Sequence, residues 1–365
     1  MTYRLHDVAV DGGTLRVGEW GPDDPGGGDP DTRDSDCAAV PTVIGLHGVT
    51  ASHLAWALVA RELCGQVRLI APDLRGRGRS AGLPGPYGMA RHAADLVAVA
   101  DALKLPPALL LGHSMGGFVA AVAAHLYPDR FGDVLLVDGG LPLAVPEEVS
   151  AQDLLEATLG PAMRRLSMTF PDRAAYLEFW KAHPAFATSQ STDGHSTDGQ
   201  RTDGQRGDEL RSLAEYASYD LTGTEPELRA SASLEAVIQD SADLYGGTAA
   251  RAALAELKLG RPAQGKTAQG KTVSLLTAPR GLFNEQPGIY SPGEIGRWRA
   301  ELPAVTIREV PDVNHYTIVM GSAGAGAVAR EVLRAVGAGH PSGGAAGQSR
   351  SGGPAVPVEV DLGRG

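Results

Sequence analysis

Cysteine is nearly absent. The 365-residue chain has two, Cys37 and Cys64, which are too few for a disulfide framework and form no CxxC. No run of about 18 or more apolar residues occurs, so a membrane-spanning helix is excluded. The opening stretch, MTYRLHDVAVDGGTLRV, lacks the basic and apolar regions of a signal peptide. Basic clusters are also missing. Lys and Arg number 32 against 43 Asp and Glu, a formal net charge of −11, so the chain repels phosphate backbones and no nucleic-acid partner is expected. There is no HxHxDH, no HExxH and no Cys/His cluster at ligand spacing, so neither a metal nor another cofactor is expected. These absences describe a soluble, cytoplasmic protein, and they leave its oligomeric state open.

What is present is apolar material in a regular rhythm. At 43% hydrophobic and 21% charged, the chain can build a large core. YRLHDVAV and TLRVGEW flank Asp11-Gly12-Gly13 and predict a β-hairpin. PTVIGLHG, VRLIAPD, ALLLG, DVLLVDGG, VSLLTAP and AVTIREVPD are short apolar runs of the kind buried parallel strands require. Between them lie helical patterns at 50–64, 88–104, FVAAVAAHL, PGEIGRWRAEL and GAGAVAREVLRAV. Strands alternating with helices predict an α/β fold, with a mostly parallel sheet covered on both faces.

Some stretches break the rhythm. Residues 142–272 contain mixed helical pieces such as RRLSMTF and DRAAYLEFWKAH. Within them, 191–207 is a Thr/Asp/Gly repeat of five residues that cannot bury a core and is expected to be a solvated loop. GRPAQGKT and GKTAQGKT, overlapping in 260–272, match the phosphate-loop pattern GxxxxGK[ST]. A phosphate loop needs a strand before it and a helix after it. Here RAALAELKL precedes and VSLLTAP follows, so the order is reversed and 263–272 reads as a duplicated AQGKT loop. The Gly/Ser/Pro-rich stretch 337–365 is expected to be a disordered tail.

The chemistry centres on Gly112-His113-Ser114-Met115-Gly116, set between a strand and a helix. A serine there occupies a sharp turn that lifts its hydroxyl off the sheet edge, and Gly112 and Gly116 remove side chains that would collide. A serine nucleophile needs a base. His315 follows the last strand, at the same carboxyl edge of the sheet. An oxyanion needs backbone N–H donors. Met115 offers one at a helix N-terminus, and Val49 offers the other after the turn at Gly48. Trp56 and Met115 are candidate pocket walls. For the acid that orients the imidazole there are two candidates. Glu285 is the first choice, because it lies after VSLLTAP and gives the chain order Ser, acid, His. Asp138, at the end of VLLVD, is the second. Trp180, Phe179, Tyr176 and Phe186 could line a pocket, with core packing the default for each.

LHGVTASHLAW, APDLRGRGRS (71–80), LGHSMGG, PDRFGDVLLVDGG and VPDVNHYTI together resemble the motifs of the α/β-hydrolase superfamily. The resemblance implies an eight-stranded, mostly parallel sheet with helices on both faces. It also implies a core from 1–141 and 273–336 and a helical cap at 142–272, after strand six. Members commonly carry an aspartate after strand seven in a G-x-x-D arrangement. Here the loop reads APRGLFNEQPG, so either Glu285 takes that role or the acid has moved to Asp138. Family members with an aspartate nucleophile, the epoxide hydrolases and haloalkane dehalogenases, do not fit Ser114. The implied function is a cofactor-independent serine esterase-type hydrolase cleaving a small, fairly apolar ester, lactone or thioester substrate. A carbon–carbon bond hydrolase with the same triad is a close alternative. A non-catalytic member that binds a small molecule is the alternative from a different class.

Overall fold

The computed structural model describes residues 1–22, 40–143, 164–187, 203–258 and 270–338. Each apolar run noted above becomes a strand. The sheet consists of β1 (Thr2–Val10), β2 (Gly13–Gly21), β3 (Thr42–Leu46), β4 (Arg68–Pro72), β5 (Ala108–His113), β6 (Phe131–Val137), β9 (Val273–Thr277) and β10 (Val305–Glu309). It has eight strands in the order β1-β2-β4-β3-β5-β6-β9-β10. β1 pairs antiparallel with β2, and β2 with β4; every other pairing is parallel.

The central strands are apolar throughout because both their faces are covered. Successive side chains point to opposite faces. Ile44, Leu46, Leu110, Leu136 and Leu275 therefore join one apolar cluster, while Val43, Leu109, Leu111, Leu135 and Leu276 join another. The first is covered by α2 (Met89–Ala102), α3 (Met115–Leu126) and α8 (Pro292–Glu301); the second is covered by α1 (Ala57–Leu63), α9 (Thr317–Met320) and α10 (Ser322–Ala338). Ser291 starts α8 with a capping box, accepting the Glu294 N–H while the Glu294 carboxylate accepts the Ser291 N–H. The helix expected over 50–64 is in fact a 3₁₀ turn, His53–Trp56, running into α1.

Between β6 and β9 lie α4 (Arg173–Lys181), α5 (Asp203–Tyr219), the short pair β7 (Leu221–Thr222) and β8 (Arg229–Ala230), α6 (Leu234–Gly246) and α7 (Thr248–Lys258). Phe170, Tyr176, Trp180, Leu213, Tyr216 and Leu228 make a third apolar cluster that packs on Ala55. Ala253 and Leu257 of α7 instead join the first cluster beside α3.

The Thr/Asp/Gly repeat needs one correction. Residues 191–202 lie outside the described residues, but 203–207 form the first turn of α5 rather than a loop. Buried Leu213, Tyr216 and Ala217 anchor that helix, and propagation from an anchored turn adds a hydrogen bond per residue without a new nucleation cost. Most of the AQGKT loop and residues 339–365 of the expected tail also lie outside the described residues, whereas 337 and 338 are the last residues of α10 rather than tail. Lys271, from the second AQGKT copy, donates from Nζ to the carbonyls of Ala124 and Phe131. Among the described residues no helix is long and apolar enough to cross a membrane.

Candidate active site

β5 ends at His113 and α3 begins at Met115, leaving one residue, Ser114, to make the turn. Its backbone is left-handed in φ, at 55° with ψ −123°, a costly conformation for a residue with a Cβ. The neighbouring glycines pay for the turn by letting backbones meet. A Cβ on Gly112 would lie 2.2 Å from the Gly116 oxygen, and one on Gly116 would lie 2.1 Å from the Leu46 oxygen. Gly48 brings the preceding loop to the hydroxyl, since its Cβ would lie 3.3 Å from Ser114 Cβ and 3.7 Å from Oγ.

His315 and Ser114 line one cavity of about 70 Å³. The His315 ring donates from Nδ1 to Asp138 Oδ2 at 2.7 Å. Asp138 is fully buried, at the end of β6 in a left-handed conformation (φ 44°). Its second oxygen, Oδ1, accepts the Ala278 N–H at 3.1 Å. Glu285, the first choice from sequence, is elsewhere. Its Oε2 accepts the Phe283 N–H at 2.7 Å and its carbonyl accepts the Gly281 N–H at 2.9 Å, so it closes its own turn. The preference for Glu285 rested on chain order, and the tertiary structure brings Asp138 to the imidazole instead.

The two expected oxyanion donors are aimed by their own peptide planes. In a trans peptide the N–H points opposite to the C=O. Gly48 O accepts from His47 Nδ1 at 2.8 Å and from the Ala51 N–H at 3.1 Å, which orients the Val49 N–H away from both. Ser114 O accepts the Gly117 N–H at 2.9 Å, which does the same for the Met115 N–H. His47 Nε2 accepts the Leu74 N–H at 3.0 Å, so this ring is a neutral tautomer with both nitrogens used. Complete burial pushes its pKa down to about 4.

Several residues of the site were not singled out by the sequence. His113 donates from Nε2 to the His315 carbonyl at 2.8 Å and lies against that ring, centroids 4.7 Å apart. Burial, then the nearby His315, hold the His113 pKa well below the usual histidine value. Asn314 braces the same loop, donating to the Ala185 carbonyl at 2.9 Å and to Asn284 Oδ1 at 3.1 Å. The one available signal was adjacency: each is the chain neighbour of a candidate catalytic residue.

The cavity walls are apolar. Phe118, Leu141, Leu143, Leu244, Leu282 and Ile289 line it with Val49 and Met115. Tyr290 adds a hydroxyl that is already engaged, donating to the Leu141 carbonyl at 2.7 Å and accepting the Leu141 N–H at 3.0 Å. Trp56 is not a wall; it is fully buried in the second apolar cluster. Tyr176 and Trp180 are core residues of the third cluster, Phe179 packs against it, and none of the four aromatics weighed in 142–272 lines this cavity. Among the described residues no cluster of three or more His, Cys, Asp or Glu side chains is arranged to hold a metal ion.

Residues 41–192 match a family profile described as alpha/beta hydrolase fold. The chain is 34% identical over 134 residues to the 3-hydroxybutyrate-oligomer hydrolase of Cupriavidus necator, covering 36% of this chain and 44% of that protein. It is 33% identical over 129 residues to an epoxide hydrolase of Caballeronia sordidicola, 34% of each chain. The chain spans between 35% and 53% of the length of the first curated relatives it matches. Among solved structures, a thioesterase domain from the curacin biosynthetic pathway superposes with a TM-score of 0.62 at 21% identity, over 92% of this chain and 100% of that one. Sheet order, strained serine turn and profile match converge: the chain has the α/β-hydrolase fold.

Proposed function

We propose that the protein is a serine hydrolase that cleaves a small, fairly apolar ester, lactone or thioester through an acyl-enzyme on Ser114. The observation that carries this reading is the 2.7 Å contact from His315 Nδ1 to buried Asp138 beside the strained Ser114 turn. A carboxylate on Nδ1 fixes the tautomer in which Nε2 is free to take a proton. Ser114 Oγ attacks the substrate carbonyl carbon as His315 Nε2 removes its proton. The carbonyl oxygen gathers negative charge and is received by the N–H groups of Val49 and Met115, where a water-poor site makes them most effective. His315 returns the proton to the leaving group. A water, deprotonated by the same nitrogen, then releases the acid and regenerates the serine.

The walls support this substrate class. Apart from His315 and Asp138, no charged side chain among the described residues lines the cavity, and the one phenol there is satisfied within the protein. An apolar acyl group loses nothing on entering, whereas a charged one would be left unpaired. The contact between Asp138 and His315 also supports catalysis over the non-catalytic binding alternative.

Intact-mass analysis after exposure to a small fluorophosphonate, with peptide mapping, tests this. The expected result is one adduct on Ser114, absent in Ser114→Ala and strongly slowed in His315→Ala. Well-folded protein that takes no adduct, and turns over no short-chain ester, refutes the proposal.

A further inference from the structure

The loop that carries Val49 is held by its carbonyls. Three in succession, those of Gly48, Val49 and Thr50, each accept a hydrogen bond from a buried side chain. His47 Nδ1 reaches the first at 2.8 Å, Arg77 Nε the second at 2.9 Å and Arg165 Nη2 the third at 3.2 Å. His47 is local to the loop. The two arginines are not.

Arg77 belongs to the stretch 71–80, and its neighbours there have other duties. Arg75 makes a two-pronged pair with Asp95 at 2.8 Å and donates to the carbonyls of Pro84 and Asp11. Asp73 is shared by His53, Tyr219 and the Arg79 N–H. In this stretch it is Arg77 whose side chain reaches the residue after Ser114. Its guanidinium is fully buried, donates to the carbonyls of Val49 and Arg75, reaches Met115 Sδ at 3.7 Å, and pairs with Asp240. One side chain thus touches both residues that supply the oxyanion N–H groups. Asp240 lies on α6 and also accepts from the Gly88 N–H at 2.6 Å and His92 Nε2 at 3.0 Å. The same helix sends Leu244 into the cavity wall.

Arg165 repeats the arrangement on the other side. Its guanidinium is 3% exposed, pairs with buried Asp220 and with the Tyr176 hydroxyl, and lies 5.0 Å from the Trp180 ring centre. Asp220 is held in turn by the Ser231 hydroxyl at 3.1 Å. Both counter-ions, Asp220 and Asp240, therefore sit between β6 and β9, where the chain departs from the alternating sheet pattern. A buried cation keeps its position only while its carboxylate partner keeps its own. Placement of these inserted elements consequently governs where the loop carbonyls, and hence the Val49 N–H, are held.

We infer that Arg77 and Arg165 are positioning residues that tie the oxyanion loop to the elements inserted between β6 and β9, so that the arrangement around the acyl group sets the oxyanion hole. The effect on turnover rests on the function proposed above; the effect on the loop does not. Two readouts separate them. The first is kcat and KM for a short-chain ester, normalised to Ser114 sites counted by the burst of product. Arg77→Met should lower kcat by about tenfold to a hundredfold with KM changed less than about threefold, because the loss falls on an interaction made with the developing oxyanion. Arg77→Lys should recover part of that loss. The second readout is amide hydrogen exchange of peptides spanning 47–51, which should quicken in Arg77→Met, Arg165→Met and Asp240→Asn alike. Should a single arginine variant fail to fold, the pairs Arg77→Met/Asp240→Asn and Arg165→Met/Asp220→Asn remove both charges together and give the same test. Unchanged exchange at 47–51 in folded variants overturns the inference. So does a kcat per site equal to wild type with only the melting temperature lowered. If the unaltered protein turns over no ester but the loop exchange quickens as stated, the proposed function fails and the positioning role stands.

Discussion

Replacing Asp138 by Asn tests its role as the acid of the proposed triad, and its hydrogen bonds set the direction of the effect. The carboxylate accepts at both oxygens, from His315 Nδ1 at 2.7 Å and from the Ala278 N–H at 3.1 Å. An amide has one acceptor and one donor end. The Ala278 N–H can only donate, so the amide oxygen must face it and the NH₂ must face His315. Nδ1 then has to accept, which places the ring proton on Nε2, the nitrogen that should receive the Ser114 proton. The wrong tautomer at an otherwise intact triad costs about 10⁴ in kcat, or about 5.5 kcal/mol of transition-state stabilisation. Glu285→Gln is the control. Its side chain accepts from the Phe283 N–H, a bond the Gln oxygen can keep, so kcat should stay within about threefold of wild type. The assay is steady-state hydrolysis of a p-nitrophenyl ester by both variants, with circular dichroism to establish folding. Asp138→Asn near wild-type activity, or Glu285→Gln as damaging as Asp138→Asn, would refute the reasoning.

Other outcomes follow from the same structure. Gly112→Ala drives a methyl to 2.2 Å from the Gly116 oxygen, rigid backbone that cannot yield, and should destabilise by about 3 kcal/mol or more in urea unfolding. Leu244→Ala opens the apolar wall and should shift the preferred acyl chain towards longer esters, read as kcat/KM across a chain-length series; an unchanged preference would remove Leu244 from the wall. His47 has a folded pKa of about 4 against an ordinary 6.5. The unfolded chain therefore binds the extra proton first, and the stability is complete above pH 6.5 and lost as pH falls towards 4. His47 alone should cost about 2 kcal/mol between pH 7 and pH 4.5, measured by urea unfolding at both values, and buried His113 acts in the same direction. A flat profile over that interval would mean that His47 is not held neutral.

The sequence alone determined the features whose physics is local. A strand buried on both faces must be apolar along its length, so the six parallel strands could be read directly. A serine at φ 55° flanked by backbones in contact must have glycine at 112 and 116, so the turn that carries the proposed nucleophile was legible. His315 was legible because a residue after the last strand of a parallel sheet arrives at the same edge as Ser114. Other features needed the chain to meet itself. Asp138 and Glu285 both follow strands at that edge, and nothing local says which carboxylate turns towards His315; the pair that forms is 177 residues apart in sequence. Arg77 stands between two glycines, where nothing local marks it for burial. It is buried only because Asp240 comes from 163 residues further on to neutralise it, and Asp220 does the same for Arg165 across 55 residues. Desolvating a cation is tolerable only beside its partner, so tertiary structure alone decided which charges went inside and which backbone oxygens they hold.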